Sequence, residues 1–170
     1  MALEAETYDI VSVQCLGRYH VKRNACALGV NAAYDEASFR EEHTMTLTVQ
    51  QMLAAAEAVV PRISADEAKG LVGRADVVFL DVREPGEVAA SGKVPGALTI
   101  PRGLVEFRAD PTSALHDANF DRAKTIVAYC ASGGRSALVL KTLHDMGYAN
   151  VRNLGGFKNW VDGGGEIEKA

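Results

Sequence analysis

The sequence predicts an α/β fold organised around a parallel sheet. Short β-branched and aromatic runs alternate with stretches of helical periodicity, the pattern left when strands are joined through crossover helices. Two of these runs, Val77-Val78-Phe79-Leu80 and Thr125-Ile126-Val127-Ala128-Tyr129, are apolar without alternation, as strands covered on both faces are. Glycines punctuate the C-terminal part: eight of 16 lie from Gly133 onward, where the chain needs tight turns.

Residues 1–44 are expected to be an extension without a core of its own. Four basic side chains (Arg18, Lys22, Arg23, Arg40) stand against seven acidic ones, no helical or strand period persists, and only Ile10-Val11-Ser12-Val13 fits a short extended piece. Met45 immediately precedes the first coherent helical pattern and is an alternative start of translation. Over residues 45–62 a leading amphipathic helix is expected: Val49, Met52, Leu53, Ala56, Val59 and Val60 recur at helical spacing and Pro61 closes the run. The main domain then spans residues 63–170. Ser64 with Glu67 makes a capping-box signature for a helix from about Ala65. Val77–Leu80 forms the first strand and delivers Asp81-Val82-Arg83 to its C-terminal edge.

Pro85 to Ala90 fits one or two helical turns, and Pro95-Gly96 marks a turn before the short strand Ala97–Ile100. Pro101–Phe120 reads as a short helix and an irregular loop. The strand Thr125–Tyr129 stops at Cys130. Ser136–Met146 carries Ala137, Leu138, Leu140, Leu143 and Met146 on one helical face, with Gly147 as C-terminal cap. Val151–Leu154 is a last strand before Gly155-Gly156 and a small helix around Trp160.

Composition narrows the function. A chain of 170 residues that is 48% hydrophobic and 24% charged fits one globular domain with some surplus. A net charge of −4 and a pI near 5.6 lack the basic footprint of a nucleic-acid binder. Cys15, Cys26 and Cys130 are too few and too scattered for a disulfide framework, and no Cys-x-x-Cys pair offers a zinc or dithiol site. The acidic start does not read as a secretory signal, and no run approaches the roughly 18 apolar residues of a membrane span. A soluble, cytoplasmic protein is expected.

The chemistry concentrates in Tyr129-Cys130-Ala131-Ser132-Gly133-Gly134-Arg135-Ser136, a strand, a glycine-bearing loop and a helix start. Ligands of open α/β sheets bind beyond the carboxyl ends of strands, which is where Cys130 falls. The glycines let the loop curl with several N–H groups pointing inward, and the helix adds its positive end. The natural occupant is the Cys130 sulfur as thiolate, with a pKa below that of a free cysteine because the charged form gains hydrogen bonds.

At these residues the chain resembles the single-domain rhodanese family of sulfurtransferases, over roughly Ile63 to Gly164. Asp81-Val82-Arg83-Glu84-Pro85 with Glu87 resembles its first signature and Gly92-Lys93-Val94-Pro95-Gly96-Ala97 its second, Lys93 standing where many members carry His. Tyr129 through Ser136 resembles the catalytic loop, and Gly155-Gly156-Phe157-Lys158-Asn159-Trp160 the closing motif. The resemblance implies a rhodanese-like three-layer fold, with a parallel sheet of about five short strands flanked by helices. It also implies a two-step reaction. Cys130 takes a sulfane sulfur from a donor such as thiosulfate, forms a persulfide, and passes it to a thiophilic acceptor such as cyanide or a thiol, with no metal or organic cofactor. Covalent catalysis of this kind gives ping-pong kinetics.

Loop length bears on the alternative chemistry. The spacing here is Cys-x-x-x-x-Arg, one residue shorter than in the related protein-tyrosine-type phosphatases, and a smaller amide ring suits one sulfur atom better than a phosphoryl group. Arg135 is expected to attract anionic donors. Ser136 fits either a hydrogen bond to the sulfur or a helix cap. Asp81 is expected to support the loop backbone or Arg135, and Arg83 to pair with Glu87 or support the rim, with a purely structural salt-bridge role for both as the other reading. Arg102 and Arg108 are candidates for the entrance. A non-catalytic interaction module, a persulfide carrier serving a partner protein, and a phosphatase or arsenate-reductase-like enzyme are the competing readings. The expected partners are small-molecule sulfur donors and acceptors, with a protein or thiol acceptor as an option.

Overall fold

A computed structural model describes residues 46–169; the extension with Cys15 and Cys26 lies outside the described residues. Helix α1, Val49–Glu57, starts at Thr48, whose hydroxyl accepts from the Gln51 N–H at 3.2 Å while the Gln51 side chain accepts from the Thr48 N–H at 2.8 Å. Ser64 and Glu67 close the same reciprocal box on α2, Ala65–Lys69. Strand β1 is Val77–Asp81, α3 is Pro85–Ser91 with proline in its first turn, and β2 is only Leu98–Thr99. A 3₁₀ turn at Arg102–Leu104 runs into α4, Val105–Ala109. Strand β3 is Thr125–Cys130, α5 is Gly134–Asp145, β4 is Val151–Gly156 and α6 is Phe157–Asp162.

The sheet is parallel throughout, in the order β2-β1-β3-β4. It has four strands rather than about five. A fifth position is held only by a single bridge from Arg62 to Asn153 of β4, because Pro61 has no N–H to extend a ladder and the chain turns at once into the Ser64 cap. Between β3 and β4 the register shifts: Ala128 lies opposite Asn153, but Tyr129 lies opposite Gly155.

Side chains alternate across the sheet, so each strand feeds two cores. Leu80, Ile126, Ala128 and Cys130 face Val139, Leu140 and Leu143 of α5. Phe79, Val127 and Tyr129 face Phe157 and Trp160 of α6, giving three layers. Cys130, on an even position of β3, therefore points beneath α5. That helix begins at Gly134, ahead of the expected Ser136, because the loop glycines are already part of its first turn. It ends as expected at Gly147, whose φ of +93° suits a left-handed cap.

Helix α1 is less amphipathic than its spacing implies: it buries Ala56 and half-buries Leu53, while Val49 and Met52 stay 65% and 42% exposed. Leu53 rests against α5, within contact distance of a Cβ built on Gly134. No helix among the described residues is long and apolar enough to cross a membrane.

Candidate active site

The strand β3 ends at Cys130, and the next three residues curl back over its side chain before α5 starts. Gly133 makes the turn at φ +99°, a conformation that favours glycine, and its N–H donates to the Cys130 sulfur at 3.0 Å. Burial by itself pushes the thiol pKa up. The N–H groups of Ser136, Ser132 and Gly133 and the Ser136 hydroxyl more than offset it, so the Cys130 pKa falls below its ordinary value. Cys130 exposes no surface, while the next two residues, Ala131 and Ser132, are exposed, so the sulfur lies beneath the loop. The tight curl that brings amides onto the sulfur is also what covers it.

The loop sits on β4. A Cβ on Gly133 would come within 3.1 Å of the Gly155 Cα, and one on Gly156 within 2.8 Å of the Ala131 carbonyl oxygen, so backbone packs directly on backbone. Gly155, at φ +88°, follows the register shift. Behind it lies Asn153, 2% exposed, whose place in the strand sequence Val151–Leu154 carries no mark of a site residue. Its Oδ1 accepts from the Ser136 hydroxyl at 2.8 Å and from the Gly155 N–H at 2.9 Å. The Ser136 hydroxyl also lies 2.9 Å from the Gly133 carbonyl but 3.8 Å from the sulfur, so oxygen acceptors hold it more closely than Cys130 does. The available signal was an amide between Val151 and Leu154 beside Gly155-Gly156, since buried polar groups need partners.

Arg135 occupies the first turn of α5, where a cation opposes the helix dipole, and is answered from α3. Its two terminal nitrogens each donate to Glu87 at 2.7 Å, in the bidentate geometry that suits a guanidinium. Arg135 holds the Glu87 carboxyl down to about 2, aided by the Glu84 N–H. The same pair raises the Arg135 pKa, to which the nearby Cys130 thiolate also contributes.

Asp81 and Arg83 take the structural salt-bridge role rather than the loop-supporting one. Asp81 holds neither the loop nor Arg135, and Arg83 does not reach Glu87, because the two pair with each other within one tight turn. Arg83 Nη2 lies 2.6 Å from Asp81 Oδ2, with the residues 3% and 0% exposed. Arg83 also donates to the Gly92 carbonyl at 2.7 Å and lies over the Phe157 ring at 4.2 Å. This pair ties the end of β1 to α3 and α6. Arg102 is paired with Glu106 at 2.7 Å. Lys93 ties to Glu168 at 3.3 Å and to the Ala97 carbonyl at 3.0 Å, pinning the C-terminal tail. His144 is part-exposed beside Asp145, and Trp160 anchors α6 in the core with its Nε1 on the Glu166 carbonyl at 2.8 Å. A cavity of about 570 Å³ opens at the other end of β1, lined among others by Arg74, Val77, Pro95 and Lys124; no residue of the Cys130 loop lines it.

The arrangement can present a stabilised thiolate, a ring of amides for an attached anionic group, and a cation at the edge. The profile of the rhodanese-like domain family matches residues 64–162, which include every one of these groups. A sulfurtransferase of Allochromatium vinosum is 34% identical over 87 residues, 51% of this chain and 73% of that protein. The thiosulfate:glutathione sulfurtransferase of Saccharomyces cerevisiae is 34% identical over 116 residues, 61% of this chain and 79% of that protein. Among solved structures, a Rhodopseudomonas palustris protein of unknown function, described as a possible tyrosine phosphatase, superposes with a TM-score of 0.69 at 41% identity. It covers 74% of this chain and 97% of its own.

Two measurements check the ion pairs. Asp81→Ala strands a buried guanidinium and is expected to lower the free energy of unfolding by about 3–5 kcal/mol in a denaturant titration. For Glu87 the folded-state pKa lies below the ordinary 4.5, so its contribution is full above that value and is lost as pH falls from 4.5 toward about 2. Glu87→Gln should therefore flatten the acid limb of the stability curve in that window. The pair is about a third exposed, so its effect at neutral pH should stay below about 1 kcal/mol.

Proposed function

Because the chain belongs to the rhodanese-like domain family, we propose that it is a rhodanese-type sulfurtransferase whose Cys130 carries the transferred sulfur as a persulfide. The observation that carries this reading is the Gly133 N–H at 3.0 Å from the Cys130 sulfur, within a loop spaced Cys-x-x-x-x-Arg.

In the first half-reaction the Cys130 thiolate attacks the outer sulfur of thiosulfate or a similar donor. A new S–S bond forms, the donor's S–S bond breaks, and sulfite leaves with the electron pair. The loop N–H groups, which stabilise the thiolate, then face the negatively charged outer sulfur of the persulfide. In the second half-reaction cyanide or a thiolate attacks that outer sulfur and the Cys130 thiolate departs. The donor and acceptor approach past Ala131 and Ser132, the solvent-facing side of the loop. Arg135, neutralised by Glu87, draws anions less strongly than a free guanidinium, so modest discrimination among anionic donors follows. A small thiol fits the acceptor role, as the name of the yeast relative suggests for that protein.

The R. palustris protein's description favours a second reading, phosphate ester hydrolysis. The six-residue Cys130–Arg135 loop is short for a phosphoryl group, and the amide nearest the nucleophile already touches the sulfur itself.

Intact-protein mass spectrometry after thiosulfate treatment separates the two. The wild type should gain the mass of one sulfur atom, lose it on addition of cyanide or thiol, and hydrolyse aryl phosphates no faster than Cys130→Ser. An unmodified Cys130 together with Cys130-dependent phosphate release would reverse the assignment.

A further inference from the structure

Asn153 touches neither the sulfur nor solvent, yet it is the point where three parts of the site meet. The Gly155 N–H can only donate, so the atom facing it at 2.9 Å must be the carbonyl oxygen of the Asn153 amide, which fixes the amide's orientation. That same oxygen receives the Ser136 hydroxyl at 2.8 Å, and the amide nitrogen on the other side lies 3.4 Å from the Gly133 carbonyl. The Gly133 carbonyl in addition accepts the Ala137 N–H at 3.1 Å. All of these groups are buried: Ser136 is 0% and Asn153 2% exposed. The register shift after Asn153 gives Gly155 its left-handed turn without moving Asn153 from the α5 face of the sheet.

From this network we infer that Asn153 is a positioning residue for the sulfur-transfer site, acting through Ser136 and Gly133 to keep the loop's N–H groups turned toward Cys130. The physical reason lies in the Gly133 peptide groups. Gly133 has one N–H on the sulfur, and its carbonyl is a negative dipole that would oppose a thiolate if it swung the same way. The Asn153 amide nitrogen, its oxygen anchored by the Ser136 proton, joins the Ala137 N–H in holding that carbonyl away from the sulfur, so the unfavourable dipole stays away while the favourable one stays on. The Ser136 hydroxyl, 3.8 Å from the sulfur, adds least to the charge there, and most of that charge is met by backbone N–H groups whose direction Asn153 sets. Arg135, paired with Glu87, faces the sulfur from α5 and does not touch Asn153. The inference rests on Cys130 being the nucleophile of the proposed reaction.

The test is the pH dependence of Cys130 alkylation by iodoacetamide, read site by site by mass spectrometry on the full chain. Weakening about one net hydrogen bond's worth of thiolate stabilisation should raise the midpoint in Asn153→Ala by about one pH unit and lower kcat/KM for thiosulfate about tenfold near neutral pH. Ser136→Ala should move the midpoint the same way, and the double variant should be no worse than the worse single one, since both act on one carbonyl. A midpoint unchanged in Asn153→Ala while the thermal midpoint falls makes the residue merely structural and overturns the inference. So do additive effects in the double variant. Should Asn153→Ala not fold, an unchanged midpoint in Ser136→Ala overturns it equally. Alkylation needs no sulfur donor. A shifted midpoint in a protein that takes no sulfur from thiosulfate would thus sink the proposed reaction and leave this inference standing.

Discussion

A single sulfur atom surrounded by peptide N–H groups is the constraint to which the rest of the site answers. Burying a thiolate is unfavourable unless its charge is met, and here the charge is met by backbone dipoles with Arg135 nearby. Backbone donors cannot rotate away as side chains do, so their usefulness depends on how firmly the loop is held. That requirement explains why glycine occupies Gly133 and Gly156, where a Cβ would strike opposing backbone, and why the loop leans on β4 instead of standing free.

Two ion pairs frame this loop with different energetic characters. Asp81 with Arg83 is buried, stacked on Phe157 and short, and it fixes the end of β1 as a rigid corner. Glu87 with Arg135 is about a third exposed and spans two helices, so it is weaker and screened by salt, but it keeps a cation beside the sulfur in a helix position where a cation is otherwise disfavoured. Stability is thereby concentrated away from the loop and charge is placed at its edge.

The strands and the Cys130 loop were legible because their signals are local. Val77–Leu80 and Thr125–Tyr129 are apolar at every position, and both are central strands of the sheet. Cys130 with its glycines marked a strand–loop–helix turn without help from the rest of the chain. Pairings across the fold were not legible. Glu87 and Arg135 lie 48 residues apart, and nothing in either neighbourhood says that they meet. For Asp81 and Arg83 a structural ion-pair role was legible but the partners were not: alternate residues at a strand end can fold back on each other, and they do. Asn153 was passed over because a strand asparagine has no local signature for what its amide will meet. The fifth strand was expected from family resemblance, and it shrinks to one bridge because of a proline. The amphipathic period of α1 did not tell how much of that face would find a partner.

The account stands on the thiolate being stabilised by the loop it sits in. The ultraviolet absorbance of the thiolate, followed against pH as the difference between wild type and Cys130→Ser, measures this without any substrate. The structure predicts a midpoint below that of a free cysteine. A midpoint at or above it would mean that burial outweighs the amide ring, and the electrostatic basis of the site would be wrong.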